Sequence, residues 1–379
     1  MNKSVFSFFS GAGLLDLGFE QANFDIVFIN EYSKSFLEAY KYARSSQNFN
    51  EPKYGSYCCD INNFLNYEKL EFLHKSIKNE RDIGNFVGII GGPPCPDFSV
   101  GGKNKGRDGK NGILAQSFIN VIISCHPDFF VFENVKGLVK TGKHRQYFNE
   151  LKLQLVKAGY FIDDAVLNAL CYGVPQDRER VIMVGIDKKY ICGHTNNTQN
   201  TKFNFPWKQH ALFTIEDIKE VNWPKRQVFK VDCRRDFPRK IDRRFYNLTV
   251  EAWFRDNHVD KHPNSIDVFK VKSGYAKIST IDEGDVSRKS FKRLHRWRYS
   301  PTAAYGNNEV HLHPYKIRRL SVAESMAIQS LPEWFCLPKS MSLTDKFKVI
   351  GNGVPVLMAR AIAKTLSDFI DKILCEEDR

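Results

Sequence analysis

Cys95 lies in the stretch GGPPCPDFSV, which follows the apolar run FVGII and sets proline on both sides of one sulfur. Each proline fixes its own φ and disfavours the helical region for the residue before it. The thiol is therefore mounted on a stiff turn after a strand, as suits a nucleophile. A strand-to-loop turn holding one small apolar residue is the plainer reading of the same stretch. Glu133, in FFVFENVKGL, follows an apolar run and is costly to bury unless hydrogen-bonded or protonated. Its plainer role is to cap the next helix. Arg178 and Arg180, in VPQDRERVIMVG, precede a further apolar run and either project into the same crevice or form structural ion pairs.

A second group suits a nucleoside. Gly11 and Gly13 in FFSGAGLLDLGFE allow a tight turn and close approach of a ligand to the backbone. Glu31, at the end of the next apolar run, can accept hydrogen bonds from ribose hydroxyls, and Asp60, ending YCCDI, can meet an adenine amino group. Asp16 stands where the third glycine of G-x-G-x-x-G would be. That favours an adenosyl cofactor without phosphates. A thiol, a carboxyl and a guanidinium beside such a cofactor fit methylation of cytosine C5, a poor nucleophile. Thiolate addition at C6 turns the ring into an enamine whose C5 can attack a methyl sulfonium. A carboxylic acid at N3 and an arginine at O2 would stabilise the charge that develops. Free cysteine titrates near about 8.5, so the site must supply positive potential or proton transfer to activate the thiol.

The elements that must position these groups are read as strands in SVFSFF, DIVFIN, FVGIIGG, DFFVFEN, FIDDAVLNA and RVIMVGI. Between two of them Phe148, Leu151, Leu155 and Val156 follow helical spacing, with Gly159 as a stop. Strands alternating with helices predict an α/β fold with a doubly wound, mostly parallel sheet. The rhythm stops near Tyr190. The chain is then polar, basic and irregular to about residue 308, which reads as a smaller second unit. Ser321 with Glu324 forms a capping box that starts a helix, and a last helix is expected over 354–373.

The chain has 379 residues, 42% of them hydrophobic, which suits one large domain or two ordinary ones. No apolar run is long enough to span a bilayer. The start, MNKSVFSFFSGAG, reads as a strand and loop rather than a signal peptide, so a cytoplasmic location is expected. Nine irregularly spaced cysteines without a C-x-x-C pair argue against a disulfide framework and against structural zinc. His258 and His262 lack the H-E-x-x-H glutamate and are read as solvated surface histidines. The net charge is +13, and between Asn222 and Ser300 there are 20 Lys and Arg against 10 Asp and Glu. Such a segment attracts a polyanion. Its interleaved Trp223, Phe237, Phe245, Tyr246, Trp253, Phe254, Trp297 and Tyr299 favour nucleic acid over a merely solvated face.

The ordered set FSGAGLLD, NEY, DI, GGPPCPDFSVGGK, FENVKGL, QDRERV, RRLSVAESMAIQSLP and KVIGNGVPVLMARAIA resembles the cytosine-5 DNA methyltransferase family from Val5 to about Ala363. The resemblance implies a Rossmann-like methyltransferase sheet with a smaller target recognition domain. It makes residues 1–192 the catalytic domain, 193–313 the recognition domain and 314–379 a return to the catalytic domain. By it Cys95 is the nucleophile, Glu133 contacts N3 and the amino group, and Arg180 supports the base with Arg178 beside it. Phe9, Gly11, Gly13, Leu14, Glu31, Asp60, Ile61, Pro94 and Asn352 fall on positions that bind S-adenosyl-L-methionine. Ser99 and the loop GGKNKGRDGKNG, with Lys103, Lys105 and Arg107, match the part that closes over DNA. Pro96 stands where the family more often has glutamine, and Ser7 where it often has aspartate.

The expected activity is S-adenosylmethionine-dependent methylation of cytosine in a specific duplex DNA sequence, with the base flipped out of the helix. A monomer serving a restriction-modification system, beside a separately acting endonuclease, is expected. Rival readings are an RNA cytosine-5 methyltransferase of the same fold and a catalytically silent nucleic-acid-binding protein. A thiol hydrolase is disfavoured because no histidine has an evident place beside Cys95.

Overall fold

The computed structural model describes residues 1–47, 49–94, 110–191, 203–271, 274–288, 290–303, 305 and 310–377. Cys95, Ser99, Lys103, Lys105 and Arg107 lie outside the described residues.

Seven strands form the central sheet: β1 (Lys3–Phe8), β2 (Phe24–Asn30), β3 (Ser56–Tyr57), β4 (Phe86–Gly91), β5 (Phe129–Val135), β6 (Tyr160–Asn168) and β8 (Glu179–Asp187). Their order is β3-β2-β1-β4-β5-β8-β6. The two-residue strands β7 (Gln176–Asp177) and β9 (Ser300–Pro301) form a separate parallel pair. β1 and β4 are buried along their whole length, as expected when helices cover both faces, although β1 also carries Lys3, Ser4 and Ser7. On one face lie α1 (Leu14–Glu20), α2 (Lys34–Ser45) and the C-terminal α12 (Val356–Glu377), which pack on Val5, Ile26, Ile29 and Ile90. On the other, α3 (Tyr67–Asp82), α4 (Lys110–Cys125) and α6 (Gly142–Lys157), after the one-turn α5 (Gly137–Lys140), cover Phe6, Val27, Phe28 and Ile89.

The six strands and the helices read from the sequence are present, and β3 adds a seventh strand. β3, β2, β1, β4 and β5 pair in parallel, whereas β8 runs antiparallel to both β5 and β6. The short passage from Asn168 to Glu179 holds no crossover helix, so the chain must return antiparallel. The capping box of Ser321 and Glu324 opens α10 (Val322–Ile328).

Among the described residues the middle of the chain carries only short helices, α7 (Ile215–Glu220), α8 (Val250–Asp256) and α9 (Tyr275–Ser279), before α10 and α11 (Leu343–Asn352). Its aromatic residues largely go into apolar packing, part of it shared with the rest of the chain. Trp223, Phe245, Phe254 and Trp297 are buried, and the two indole N–H groups donate to the carbonyls of Ile218 and Arg235. Packing thus accounts for much of the aromatic spacing that the sequence offered as a nucleic-acid signal. The reading of His262 as a surface residue is also corrected. It is buried, its ring bonded to the carbonyl of Phe335 and the amide of Asn264, and burial lowers its pKa. His258 pairs with Glu333 at 3.0 Å. Among the described residues no helix is long and apolar enough to cross a membrane.

Candidate active site

Register brings the candidate residues together. Asn30 pairs with Tyr57 and with Phe8, Phe8 with Gly91, and Gly91 with Phe132. These residues form one row at the carboxyl edge of the parallel strands. The next residues in each segment are Glu31, the approach to Asp60, the Phe9 to Gly13 turn, Gly92 and Glu133. The order reverses around β1, and such a switch point leaves a crevice outside the strand ends.

The turn after β1 is built for close approach. Phe9, Gly11 and Gly13 all take positive φ, at 55°, 57° and 79°. A Cβ on Gly13 would lie 2.4 Å from the Arg44 guanidinium and 2.5 Å from the Tyr40 ring, so only glycine fits. Arg44, from α2, donates to the carbonyl of Gly13 at 3.1 Å and pairs with Glu20 at 2.8 Å. Behind the turn, Asp16 is fully buried and accepts from Ser7 Oγ at 2.7 Å. Burial pushes its carboxyl up to about 6, against the pull of Arg44. Glu31 accepts from the Gly11 amide at 2.9 Å and from the Ser33 amide at 2.8 Å. Both carboxylate oxygens are thus oriented by backbone, while burial raises its pKa. Asp60 caps the short helix Ile61–Leu65 by accepting from the Asn62 amide at 2.8 Å. Leu14 and Ile61 are buried, and Pro94 and Asn352 are exposed.

On the other side of the crevice, Arg180 Nε lies 3.0 Å from Glu133 Oε1. The antiparallel direction of β8 makes this pairing possible, because it puts the start of β8 beside the end of β5, with Val135 opposite Arg180. Burial raises the Glu133 pKa, opposed first by Arg180 and then by Arg178. Gly92 leaves room for this acid: a Cβ there would stand 2.6 Å from Glu133 Oε2. The Asn134 amide donates to the Pro93 carbonyl at 3.4 Å. The chain leading towards the PPC stretch is therefore held by Asn134, the neighbour of Glu133 in FENV.

Arg178 differs from Arg180. It is 1% exposed, and its guanidinium donates to the carbonyls of Gly351 at 2.8 Å, Gly353 at 3.0 Å and Ala303 at 3.4 Å. Burial drives its pKa down, with Arg180 adding to the effect. The sequence reading passed over Arg44, Asn134 and Tyr32. Asn134 could have been noticed as an amide in a buried strand, where asparagine is disfavoured. Tyr32, 73% exposed directly after Glu31, is an aromatic residue left outside the core.

A family model described as C-5 cytosine-specific DNA methylase matches residues 3–368. The chain is 52% identical over 368 residues to the Type II methyltransferase M.NmeDI of Neisseria meningitidis serogroup C, covering 97% of this chain and 84% of that one. It is 29% identical to M.MthTI of Methanothermobacter thermautotrophicus, over 99% of this chain and 100% of that one. Among solved structures, a DNA modification methyltransferase encoded within an E. coli prophage superposes with a TM-score of 0.65 at 23% identity, covering 98% and 100% of the two chains. That likeness bears on fold, and the fold is the Rossmann-like one of C5 methyltransferases. With the family model spanning nearly the whole chain, this protein belongs to the C-5 cytosine-specific DNA methylases.

Proposed function

We propose that Cys95 adds to C6 of a flipped cytosine in duplex DNA, with Glu133 and Arg180 holding the ring and S-adenosyl-L-methionine as methyl donor. The observation that carries this reading is the buried Glu133–Arg180 pair at 3.0 Å, set against Gly92 just before the PPC stretch in the sequence. Raised by burial, the Glu133 carboxyl is suited to meet N3 in its protonated form. Arg180 supplies fixed positive charge for O2 and for the thiolate, which is the electrostatic help that addition to the ring needs.

The residues around the first turn fit an adenosyl cofactor, whose sulfonium supplies the methyl group when bound. Positive φ at Gly11 and Gly13 opens the backbone, Glu31 is held in place to accept ribose hydroxyls, and Tyr32 offers a ring face. Asp16, facing Ser7 behind the turn, leaves no anion cradle for a pyrophosphate. We assign Phe9, Gly11, Gly13, Leu14, Glu31, Asp60, Ile61, Pro94 and Asn352 to this pocket. Ser99, Lys103, Lys105 and Arg107 are assigned to DNA contact, and residues 193–313 to target recognition.

M.NmeDI is named a Type II methyltransferase, and that supports a role beside a separately acting endonuclease. The working form is inferred to be a cytoplasmic monomer. The decisive test has two steps. Bisulfite sequencing of DNA from a host expressing the protein finds the methylated site. A duplex carrying 5-fluorocytosine there, with cofactor, should then form a denaturation-resistant adduct with the wild type and none with Cys95→Ser. An unmodified host genome, or an adduct that survives the substitution, overturns the assignment.

A further inference from the structure

We propose that Arg178 is a positioning residue that couples cofactor binding to DNA binding. This rests on the function proposed above. Gln176, Arg178 and Arg180 alternate along one extended segment, so their side chains share a face. Each ties that face to a different part of the molecule. Gln176 Oε1 accepts from the Ala303 amide at 3.2 Å, and its Nε2 donates to Gln329 at 3.3 Å. Arg178 reaches Ala303 as well, and also the carbonyls of Gly351 and Gly353 that flank Asn352. Arg180 meets Glu133.

The two segments held by Arg178 also touch each other. A Cβ on Gly351 would lie 3.2 Å from the Tyr305 amide nitrogen, and Gln329 Nε2 donates to the Ile350 carbonyl at 2.8 Å. Ala303 follows β9, whose pairing with β7 joins the middle of the chain to this segment. Movement of the middle unit on DNA would therefore pull on the same guanidinium that sets the loop around Asn352. Arg178 is fully buried against carbonyls, and an apolar residue of similar volume would avoid the desolvation cost of the charge. Three fixed donors in one plane are what lysine or methionine cannot supply.

The test measures binding of S-adenosylhomocysteine by calorimetry, with and without a duplex bearing the site found by bisulfite sequencing. DNA should tighten cofactor-product binding to the wild type by about fivefold or more. In Arg178→Lys the ratio should fall to within about twofold of unity while each ligand still binds alone. The cofactor KM should rise at saturating DNA with kcat changed less. A ratio of unity in the wild type, or an undiminished ratio in Arg178→Lys, overturns the proposal. Should that variant fail to melt cooperatively, amide exchange in the wild type decides. In the wild type, DNA alone should slow amide exchange across 350–353, and unchanged exchange overturns the coupling. Wild-type protein that neither binds S-adenosylhomocysteine nor methylates the duplex would instead overturn the functional reading itself.

Discussion

The acid at the crevice owes its place to the residue it lacks room to touch. Glu133 Oε2 would be 2.6 Å from a methyl group at position 92, and its Cδ 3.7 Å away. In Gly92→Ala the clash falls on the end of a side chain rather than on backbone, so the fold should survive with a melting temperature only a few degrees lower. The carboxyl must move, however, and displacement of about 1 Å at a reacting centre costs on the order of 10²-fold in rate. Single-turnover methylation of the variant should show that loss while S-adenosylhomocysteine still binds. A rate within about threefold of wild type would show that the carboxyl does not need this position. Glu133, Arg180 and the glycine-rich turn were legible in the sequence because their residue types carry the chemistry. Arg178 was legible as an arginine but not as a clamp, since its partners Gly351, Gly353 and Ala303 are backbone carbonyls far along the chain. Tertiary contact alone reveals such a role.

At the scale of elements, the contact between α1 and α2 governs the cofactor turn. Asp16 on α1 faces Ser7, Tyr40 and Arg44, and burial raises its pKa from 3.8 to about 6. A folded-state pKa above the unfolded one means that the native state holds the proton longer. Stability is then undiminished below about pH 4 and declines as pH rises through 6, by on the order of 3 kcal/mol. Asp16→Asn removes this titration, so the gap in melting temperature between wild type and variant should change across pH 4 to 6 and be flat above it. A gap independent of pH would mean that Asp16 titrates normally. The strands themselves were legible because runs such as FVGII and FFVF, buried on both faces, leave the hydrophobic pattern little ambiguity. The direction of β8 was not, because RVIMVGI reads the same either way. Only the missing crossover before it dictates the reversal. β3, two residues long, gave no periodic signal.

At the scale of the molecule, the middle segment is rooted in the catalytic core rather than tethered to it. One apolar cluster joins Ala12, Leu14 and Leu17 of the cofactor turn and α1 to Val250, Phe254, Leu294 and Tyr305 of the middle unit, and to Met326, Phe347 and Val349 beyond it. A second joins Leu170, beside β6, to Ile218, Trp223, Phe245 and Leu248. Phe203 and Phe205, inside the expected recognition domain, instead pack on Phe369 of α12. The break in strand and helix rhythm near Tyr190 therefore falls between residues that share apolar clusters, since loss of periodicity marks irregular backbone and not independent packing. Separate domains would unfold in separate steps, whereas a core shared across the boundary makes the loss of either side expose the other. Scanning calorimetry should show one transition with calorimetric and van't Hoff enthalpies nearly equal, and S-adenosylhomocysteine should move that single peak upward without splitting it. A chain lacking 193–313 would expose Leu14, Leu17 and Met326 to water and should show no cooperative melt. Two resolved transitions in the whole protein, with only one shifted by the cofactor product, would instead mark the middle unit as a domain in its own right. The coupling assigned to Arg178 would then have to pass through its hydrogen bonds alone, without the help of a common core.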